Sequence, residues 1–203
     1  MKIICVGRNY ADHAKELHNP VPTEPVIFIK PDTAVLKPGE DFYLPDFDPE
    51  IHFECEVVYR ICREGKNIQP SFSTTYIDSV GLGIDFTART LQENAKQKGL
   101  PWTLAKAFNG SAPISTFSPI ANYSNLQDIH FELKVNGISR QIGHTQDQIF
   151  SIEFLISFIS KYFLLKTGDL IFTGTPAGVG KVNIGDHLEG YLSGEKILDF
   201  HVR

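Results

Sequence analysis

The stretch His-Phe-Glu-Cys-Glu-Val-Val-Tyr-Arg, residues 52–60, has the β-branched and aromatic content of a strand and carries two acids. Because residues two apart in a strand point to the same face, Glu54 and Glu56 are predicted to lie side by side. A second apolar run, Gly-Leu-Gly-Ile-Asp at 81–85, ends in a third acid, Asp85. Carboxylates rarely lie in buried strands unless they are paired or bind a metal, so the three acids indicate a hard cation such as Mg²⁺ or Mn²⁺. The alternative is an exposed strand face, where a Glu-x-Glu pair is ordinary.

Strands are predicted along most of the chain, so the pattern is β-rich. The predicted strands cover residues 2–6, 26–29, 53–59, 80–84, 131–135, 138–141, 170–173, 188–192 and 197–202. Asn136-Gly137 between two of them is a strong hairpin signal. Two Gly-Asp pairs, at 168–169 and 185–186, each predict a turn before a strand.

Three helices are predicted, and no linker or low-complexity tract divides the chain. The first, 9–17, stops before Asn19-Pro20. The second, 87–98, carries a capping-box pattern at 90–93 and stops at Gly99. The third, 151–163, has apolar residues at helical spacing and Ser151 as its N-cap. We therefore expect one domain over residues 1–203.

The composition is that of an ordinary soluble globular protein: 42% of the 203 residues are hydrophobic, 21% are charged, and the net charge is −5. Mild acidity argues against a nucleic-acid surface. No apolar run approaches the roughly 18 residues that span a bilayer, and the first residues turn polar too soon for a signal peptide. The three cysteines lack metal-ligand spacing, which predicts a reduced, cytoplasmic setting.

Candidate catalytic residues begin with His13 and Glu16. These residues are three apart in a predicted helix and would share a face, next to Arg8 and just after the first strand. A glutamate beside a histidine fixes the imidazole tautomer and makes it a competent general base. The alternative is a surface pair worth a few tenths of a kcal/mol.

Other polar residues follow the acids along the chain. Lys106 could hold a substrate carboxylate or stabilise a developing negative charge, or could simply be solvated. Arg89 and Gln92, one turn apart after Asp85, could face the same site or water. The glycine-rich loop at 173–180, Thr-Gly-Thr-Pro-Ala-Gly-Val-Gly, fits neither a P-loop nor a dinucleotide fingerprint. It could offer backbone N–H groups to a carboxylate or be a tight turn.

Several of these stretches, taken in order, resemble the fumarylacetoacetate hydrolase family, and in particular its small acylpyruvate hydrolase and oxaloacetate decarboxylase branch. The resembling stretches occur in order over nearly the whole length of the chain: residues 5–13, 24–31, 54–56, 85–92, 98–106, 150–152 and 173–180. The resemblance implies an α+β, β-rich fold, with one mixed β-roll or sandwich domain that usually forms a homodimer. Cys55 is a small departure, since an aliphatic residue is expected there, and its side chain should point away from the metal.

The resemblance also implies roles for individual residues. It implies that Mg²⁺ or Mn²⁺ is held by Glu54, Glu56 and Asp85, and that His13 and Glu16 form a water-activating dyad on a lid over residues 10–22. The residues implied to surround a 2-keto acid are Arg8, Lys30, Arg89, Gln92, Lys106 and Thr175. The chain lacks the N-terminal extension of mitochondrial relatives, which is expected of a bacterial cytoplasmic enzyme.

The expected activity is hydrolysis of a C–C bond in acylpyruvates, with water activated by His13 and pyruvate enolate as the leaving group. Oxaloacetate could lose CO₂ through the same enolate. A second hypothesis is that the enzyme is an isomerase or decarboxylase of unsaturated 2-keto dicarboxylic acids, of the 2-hydroxyhepta-2,4-diene-1,7-dioate isomerase type. A third hypothesis is that the protein is not an enzyme but a metal-binding or interaction protein without turnover. The dyad of His13 and Glu16 favours hydrolysis.

Overall fold

The computed structural model describes residues 1–16 and 20–203, and within them the chain forms fifteen strands. In chain order these are β1 (Ile3–Gly7), β2 (Val26–Lys30), β3 (Val35–Leu36), β4 (Ile51–Phe53), β5 (Cys55–Ile61), β6 (Ile77–Ile84), β7 (Thr87–Ala88), β8 (Ala112–Pro113), β9 (Ser118–Pro119), β10 (His130–Val135), β11 (Ile138–His144), β12 (Leu170–Phe172), β13 (Gly180–Lys181), β14 (His187–Leu192) and β15 (Glu195–His201). Each strand predicted from the sequence corresponds to one or two of them. The predicted hairpin is formed by β10 and β11, and both turn residues, Asn136 and Gly137, have positive φ angles.

Four α-helices accompany the strands in the described residues: α1 (Ala11–Glu16), α2 (Arg89–Lys98), α3 (Thr103–Lys106) and α4 (Ile152–Tyr162). Short 3₁₀ turns cover Asp32–Ala34, Pro70–Tyr76, Ile120–Asn122 and Thr145–Asp147. None of these helices has the length and apolar character needed to cross a membrane.

Two of the three helix predictions can be compared at both ends. The hydroxyl of Ser151 accepts the backbone N–H of Phe154 and caps α4, as predicted. Helix α2 ends at Gly99, whose φ of 65° is the left-handed conformation that glycine adopts freely. The capping box was wrong, because α2 begins at Arg89 and Thr90 lies inside it, after Ala88, which has no side-chain cap. The predicted end of the first helix, residue 17, lies outside the described residues.

Two sheets dominate the fold. The larger has the strand order β2-β1-β12-β5-β6-β9, in which only β1 and β12 run parallel. The second has the order β11-β10-β14-β15 and is antiparallel throughout. Two smaller sheets have the orders β13-β4-β7 and β3-β8. The fold class is therefore mixed α+β and sheet-rich, as predicted.

The apolar core lies between the two sheets. Buried side chains from β5 and β6, including Val57 and Leu82, belong to the same cluster as Phe131 of β10 and Leu198 of β15. Gly190 in β14 shows how close the approach is, because a Cβ there would lie 2.9 Å from Leu198 and 3.1 Å from Leu82. A side chain at this position would have to displace Leu198 of the neighbouring strand and Leu82 of the facing sheet.

The run at 52–60 is two strands rather than one. It breaks at Glu54, so that β4 pairs with β7 and β13 while β5 joins the larger sheet between β12 and β6. The carbonyl of Glu54 accepts the backbone N–H of Asp85 at 2.8 Å. This hydrogen bond lies at the point where the pairing of β4 ends and the pairing of β5 begins. The chain therefore changes partners at the first of the candidate metal ligands.

Candidate active site

The ends of two neighbouring strands bring the three acids together. Glu56 lies in β5 opposite Gly83 of β6, and Asp85 follows directly after β6. All three carboxylates are buried, and one oxygen from each lies within 4.8 Å of the other two. Separations of this size suit ligands of a single ion. The structure thus gathers Glu54, Glu56 and Asp85 at one point.

Three basic side chains surround the acids. Lys106 Nζ, from α3, lies 2.8 Å from Glu54 Oε2 and 2.6 Å from Asp85 Oδ2. Arg89 Nη2, from α2, lies 2.6 Å from Glu54 Oε1. Lys30 Nζ, at the end of β2, lies 2.8 Å from Asp85 Oδ1. Three buried acids face three buried bases, so the cluster is neutral when all six are ionised.

Lys30 supports the cluster from behind. Its ammonium donates to the carbonyls of Phe86 at 3.2 Å and Ser111 at 2.9 Å, and also to the carbonyl of Lys106. The side chain is fully buried. Because its hydrogens are directed at the protein, the geometry gives Lys30 a positioning role toward Asp85. Direct contact with substrate, which the family resemblance implies, stays a prediction.

Glu56 is the acid without a basic partner. Its Oε2 accepts the backbone N–H of Gly174 at 2.6 Å, and none of the described ion pairs includes it. Burial, and then the charge of Asp85, raise the pKa of Glu56 well above its usual value. Burial acts in the same direction on Glu54, but Lys106 and Arg89 outweigh it and hold the pKa of Glu54 well below its usual value.

The donor set fits a hard divalent cation. It consists of three carboxylates, and the ammonium of Lys106 already occupies a cation position between Glu54 and Asp85. Glu56, left without a basic partner, would gain a counter-charge from an added ion. Oxygen-only coordination is the preference of Mg²⁺ and Mn²⁺. The residues present therefore suit such an ion.

The His–Glu pair lies across from the acids. His13 Nδ1 is 3.3 Å from Glu16 Oε2, and the other oxygen of Glu16 accepts the backbone N–H of Gly178 at 3.0 Å. Glu16 thus joins helix α1 to the glycine-rich loop. His13 is buried, with 4% of its surface exposed. Residues 17–19 of the predicted lid lie outside the described residues.

A small cavity of about 30 Å³ has both His13 and Glu54 in its wall. Its lining residues are Gly7, Arg8, His13, Phe28, Glu54, Arg89, Gln92, Lys96, Trp102 and Lys106. Six of these are residues that we singled out from the sequence. Gln92 also accepts a 2.7 Å bond from Arg89, which fixes the guanidinium. One cavity therefore adjoins a base, an acid and several cations.

Thr175 does not line this cavity but bonds to β5 and to Gln141. Its hydroxyl donates to the carbonyl of Cys55 at 2.7 Å and accepts from Gln141 Nε2 at 2.8 Å. Gln141 in turn accepts the backbone N–H of Cys55 at 2.9 Å. These bonds tie the glycine-rich loop to β5. A role of Thr175 in substrate binding stays a prediction.

Lys96 is a cavity residue that the sequence reasoning missed. It follows Arg89 and Gln92 at positions i, i+3 and i+7 of α2, so helical spacing could have placed it on the same face. Burial, followed by the charges of Arg89 and Arg8, lowers the pKa of Lys96. Arg8 itself has φ of 62°, a conformation rare for residues other than glycine. Two cations without a described ion-pair partner thus lie at the cavity.

The fold and the buried acid cluster define a family of enzymes. The family model described as "Fumarylacetoacetate (FAA) hydrolase C-terminal" matches residues 2–203. The chain belongs to the fumarylacetoacetate hydrolase family.

Two relatives come from a mammal and a plant. The mitochondrial oxaloacetate tautomerase FAHD1 of Mus musculus is 43% identical over 201 residues, covering 99% of this chain and 91% of its own. The protein of the same name from Arabidopsis thaliana is also 43% identical over 201 residues, covering 99% and 90%. Both names include a mitochondrial location, so the cytoplasmic setting of this chain stays a prediction.

Two solved structures share the fold. Fumarylpyruvate hydrolase from Pseudomonas aeruginosa, in complex with Mn²⁺ and pyruvate, superposes with a TM-score of 0.94 at 34% identity, covering 100% of this chain and 89% of its own. The 5-carboxymethyl-2-hydroxymuconate delta-isomerase from Mycobacterium smegmatis has a TM-score of 0.86 at 32% identity, covering 99% and 78%. Relatives of this chain therefore include tautomerases, hydrolases and isomerases.

Proposed function

We propose that this protein is a divalent-metal-dependent enzyme that converts oxaloacetate and related 2-keto dicarboxylic acids through an enolate. Keto–enol tautomerisation of oxaloacetate is its main reaction. One observation carries the proposal: a buried cluster of three acids and three bases reaches a cavity through Glu54, Arg89 and Lys106, and His13 of the His–Glu pair lines the same cavity. The name of the mouse and Arabidopsis relatives supports it.

The ion would be held by Glu54, Glu56 and Asp85. When bound, Mg²⁺ or Mn²⁺ would supply a Lewis acid that draws electrons from the keto oxygen of the substrate. The Pseudomonas aeruginosa enzyme, solved with Mn²⁺ and pyruvate, supports this choice of ion and of ligand class.

Charge balance favours a dicarboxylic substrate. The six buried charged groups sum to zero when ionised, and a divalent ion would add two positive charges. A dianion restores neutrality in a buried site, where an uncompensated charge is costly. The positive charges of Arg8 and Lys96, which line the cavity, would also attract the second carboxylate of such a dianion.

The chain's own residues would carry the proton. Nδ1 of His13 faces Glu16, which leaves Nε2 free to take a proton from the methylene carbon between the keto group and the distal carboxylate of oxaloacetate. The negative charge then developing on the keto oxygen would be stabilised by Lys106. Return of the proton to oxygen gives the enol, and the reverse sequence gives the ketone. Arg89 and Gln92 would bind a carboxylate and fix its orientation.

Cleavage of acylpyruvates is a second candidate, favoured by the same dyad and by the similarity to fumarylpyruvate hydrolase. His13 would deprotonate water, the hydroxide would add to the distal carbonyl, and the C–C bond would break to release a carboxylic acid and the enolate of pyruvate. That enolate would take up the proton and leave as pyruvate. Decarboxylation of oxaloacetate would reach the same enolate without attacking water.

Rates with three substrates distinguish these reactions. Oxaloacetate tautomerisation can be followed through the ultraviolet absorbance of the enol, oxaloacetate decarboxylation through pyruvate formation, and cleavage of acetylpyruvate and fumarylpyruvate through loss of the diketone. Each is measured with Mg²⁺, with Mn²⁺ and with chelator. We expect tautomerisation to have the largest kcat/KM and to stop with chelator. Faster cleavage of an acylpyruvate would make hydrolysis the main function, and full activity in chelator would refute metal dependence.

A further inference from the structure

A pair of histidines lies at the open end of the β10–β11 hairpin, far along the chain from the acid cluster. His130 begins β10, and its register partner is His144 at the end of β11. The backbone N–H of Thr145 donates to the carbonyl of Ile129 at 3.0 Å, so the adjacent histidine pair occupies a position without direct ladder bonds, where side chains lie closer. The two rings stack at 4.0 Å between centroids, with 11° between their planes.

Asp128 completes a group of three potential ligands. Its Oδ1 lies 2.9 Å from Nε2 of His144 and 3.9 Å from Nε2 of His130. One ligand atom from each residue lies within 4.8 Å of the other two. Ligands bonded at about 2.0–2.1 Å to tetrahedral zinc lie about 3.3 Å apart, between the two observed distances. Because a ring nitrogen binds a metal in the plane of its ring, the exposed His130 ring would have to turn out of the stack to complete the geometry.

The backbone under these ligands is fixed by hydrogen bonds. Asn125 accepts the N–H of Asp128 at its carbonyl, 3.1 Å, and the N–H of Gln127 at its side-chain oxygen, 3.0 Å. On the other side, the carbonyl of His130 accepts the N–H of Ser193 at 2.8 Å. The backbone that carries the ligands would therefore keep its position when an ion binds, and the ordering would fall on the side chains of Asp128 and His130.

A second stacked pair in the same sheet offers a comparison. His187 and His201 stack at 4.4 Å with 9° between planes. There, however, Lys196 lies 2.6 Å from Asp199 and 3.1 Å from Glu189, so the carboxylates already have a cation. The described ion pairs of Asp128 involve only imidazoles. The two pairs are alike in stacking but differ in the charge available to a metal.

We propose that Asp128, His130 and His144 form a zinc site, separate from the acid cluster. Two imidazoles and one carboxylate are a ligand set that suits Zn²⁺, whereas Mg²⁺ prefers oxygen alone. Three protein ligands leave a fourth position for water. Because β11 is the edge strand of its sheet, the ion would join that edge to its neighbour β10 at the end opposite the turn.

Anomalous diffraction at the zinc edge locates the ion. Crystals of the Mg²⁺-saturated protein are soaked in zinc, and the map is inspected at the acid cluster and at both histidine pairs. We expect a peak bonded to both rings of the His130–His144 pair, at about 2.0–2.1 Å. Peaks only at the acid cluster or at the His187–His201 pair would overturn the proposal.

Zinc bound per chain in solution, measured by equilibrium dialysis with excess Mg²⁺, provides the second test. The variant His130→Gln/His144→Gln should bind one equivalent less than the wild type. The matched control, His187→Gln/His201→Gln, should bind as much as the wild type. The single variant His130→Gln, at a side chain 69% exposed, gives the same comparison with less risk to folding. If the wild type and the His130 variants bind equal amounts of zinc, a peak in the crystal represents binding at crystal concentration only, and the proposal is overturned.

Discussion

Replacing Glu16 by glutamine tests the proposed base through its hydrogen bonds. The carboxylate of Glu16 uses both oxygens, one toward His13 Nδ1 at 3.3 Å and the other toward the N–H of Gly178 at 3.0 Å. Glutamine has one acceptor oxygen, and its NH₂ group cannot accept. In Glu16→Gln, either His13 or Gly178 therefore loses its partner.

The size of the effect follows from this single lost bond. A hydrogen bond to a charged group contributes about 1.5–3 kcal/mol, and the lower end applies because the Glu16 side chain is one-third exposed, at 33%. About 1.5 kcal/mol corresponds to roughly a tenfold change in rate. We expect kcat for oxaloacetate tautomerisation to fall about tenfold, because His13 loses either its orientation or the closed position of its helix.

Glu50→Gln is a matched control. Glu50 lies 3.3 Å from Nε2 of His52 and 2.9 Å from Nζ of Lys181, so it repeats the two-partner arrangement outside the cavity. The Glu50→Gln variant should have the same kcat as the wild type. Steady-state kinetics of both variants at saturating Mg²⁺, with Mg²⁺ affinity measured separately, make the comparison. An unchanged kcat in Glu16→Gln, or an equal fall in the control, would refute the reasoning.

Four further outcomes are expected. Glu56→Gln should weaken Mg²⁺ binding by more than about 100-fold in calorimetry and abolish turnover, and retained affinity would remove Glu56 from the ligands. His13→Ala should slow acetylpyruvate hydrolysis by about 10²–10⁴-fold while oxaloacetate decarboxylation falls much less, and an equal fall with intact metal binding would contradict the base role. Lys96→Met should raise KM for oxaloacetate about tenfold but leave acetylpyruvate, with one carboxylate, little changed; equal changes would exclude recognition of the second carboxylate. Oxalate should protect the amides of residues 10–16 from hydrogen exchange, and equal exchange with and without it would argue against a lid.

The acid cluster could be predicted because it depends on local patterns. Strand alternation placed Glu54 and Glu56 together, and the apolar run before Asp85 indicated a buried strand end. The prediction of a continuous strand at 52–60 was nevertheless wrong, since pairing switches at Glu54. That switch depends on a hydrogen bond from Asp85, 31 positions away, which no short-range pattern encodes.

The basic half of the site was harder to predict. Lys106 belongs to α3, a four-residue helix too short to show a helical period, and its ammonium reaches Glu54 across 52 positions. From the sequence alone, Lys106 could be either a solvated charge or a residue that binds the substrate. Lys96 was missed even though its spacing from Arg89 and Gln92 is helical, because one polar residue on a polar helix carries no signal of its own. Tertiary packing decides which face of α2 turns to the cavity.

The position of Lys106 between Glu54 and Asp85 has a consequence for how the protein matures. Metalloproteins whose ligands repel one another often cannot fold until the metal arrives. This chain carries its own counter-ions for Glu54 and Asp85, so we expect folding and the proposed metal loading to be separate events. Newly made protein would then persist in a metal-poor environment and be loaded later, and the proposed activity would follow the free Mg²⁺ or Mn²⁺ around it without new synthesis.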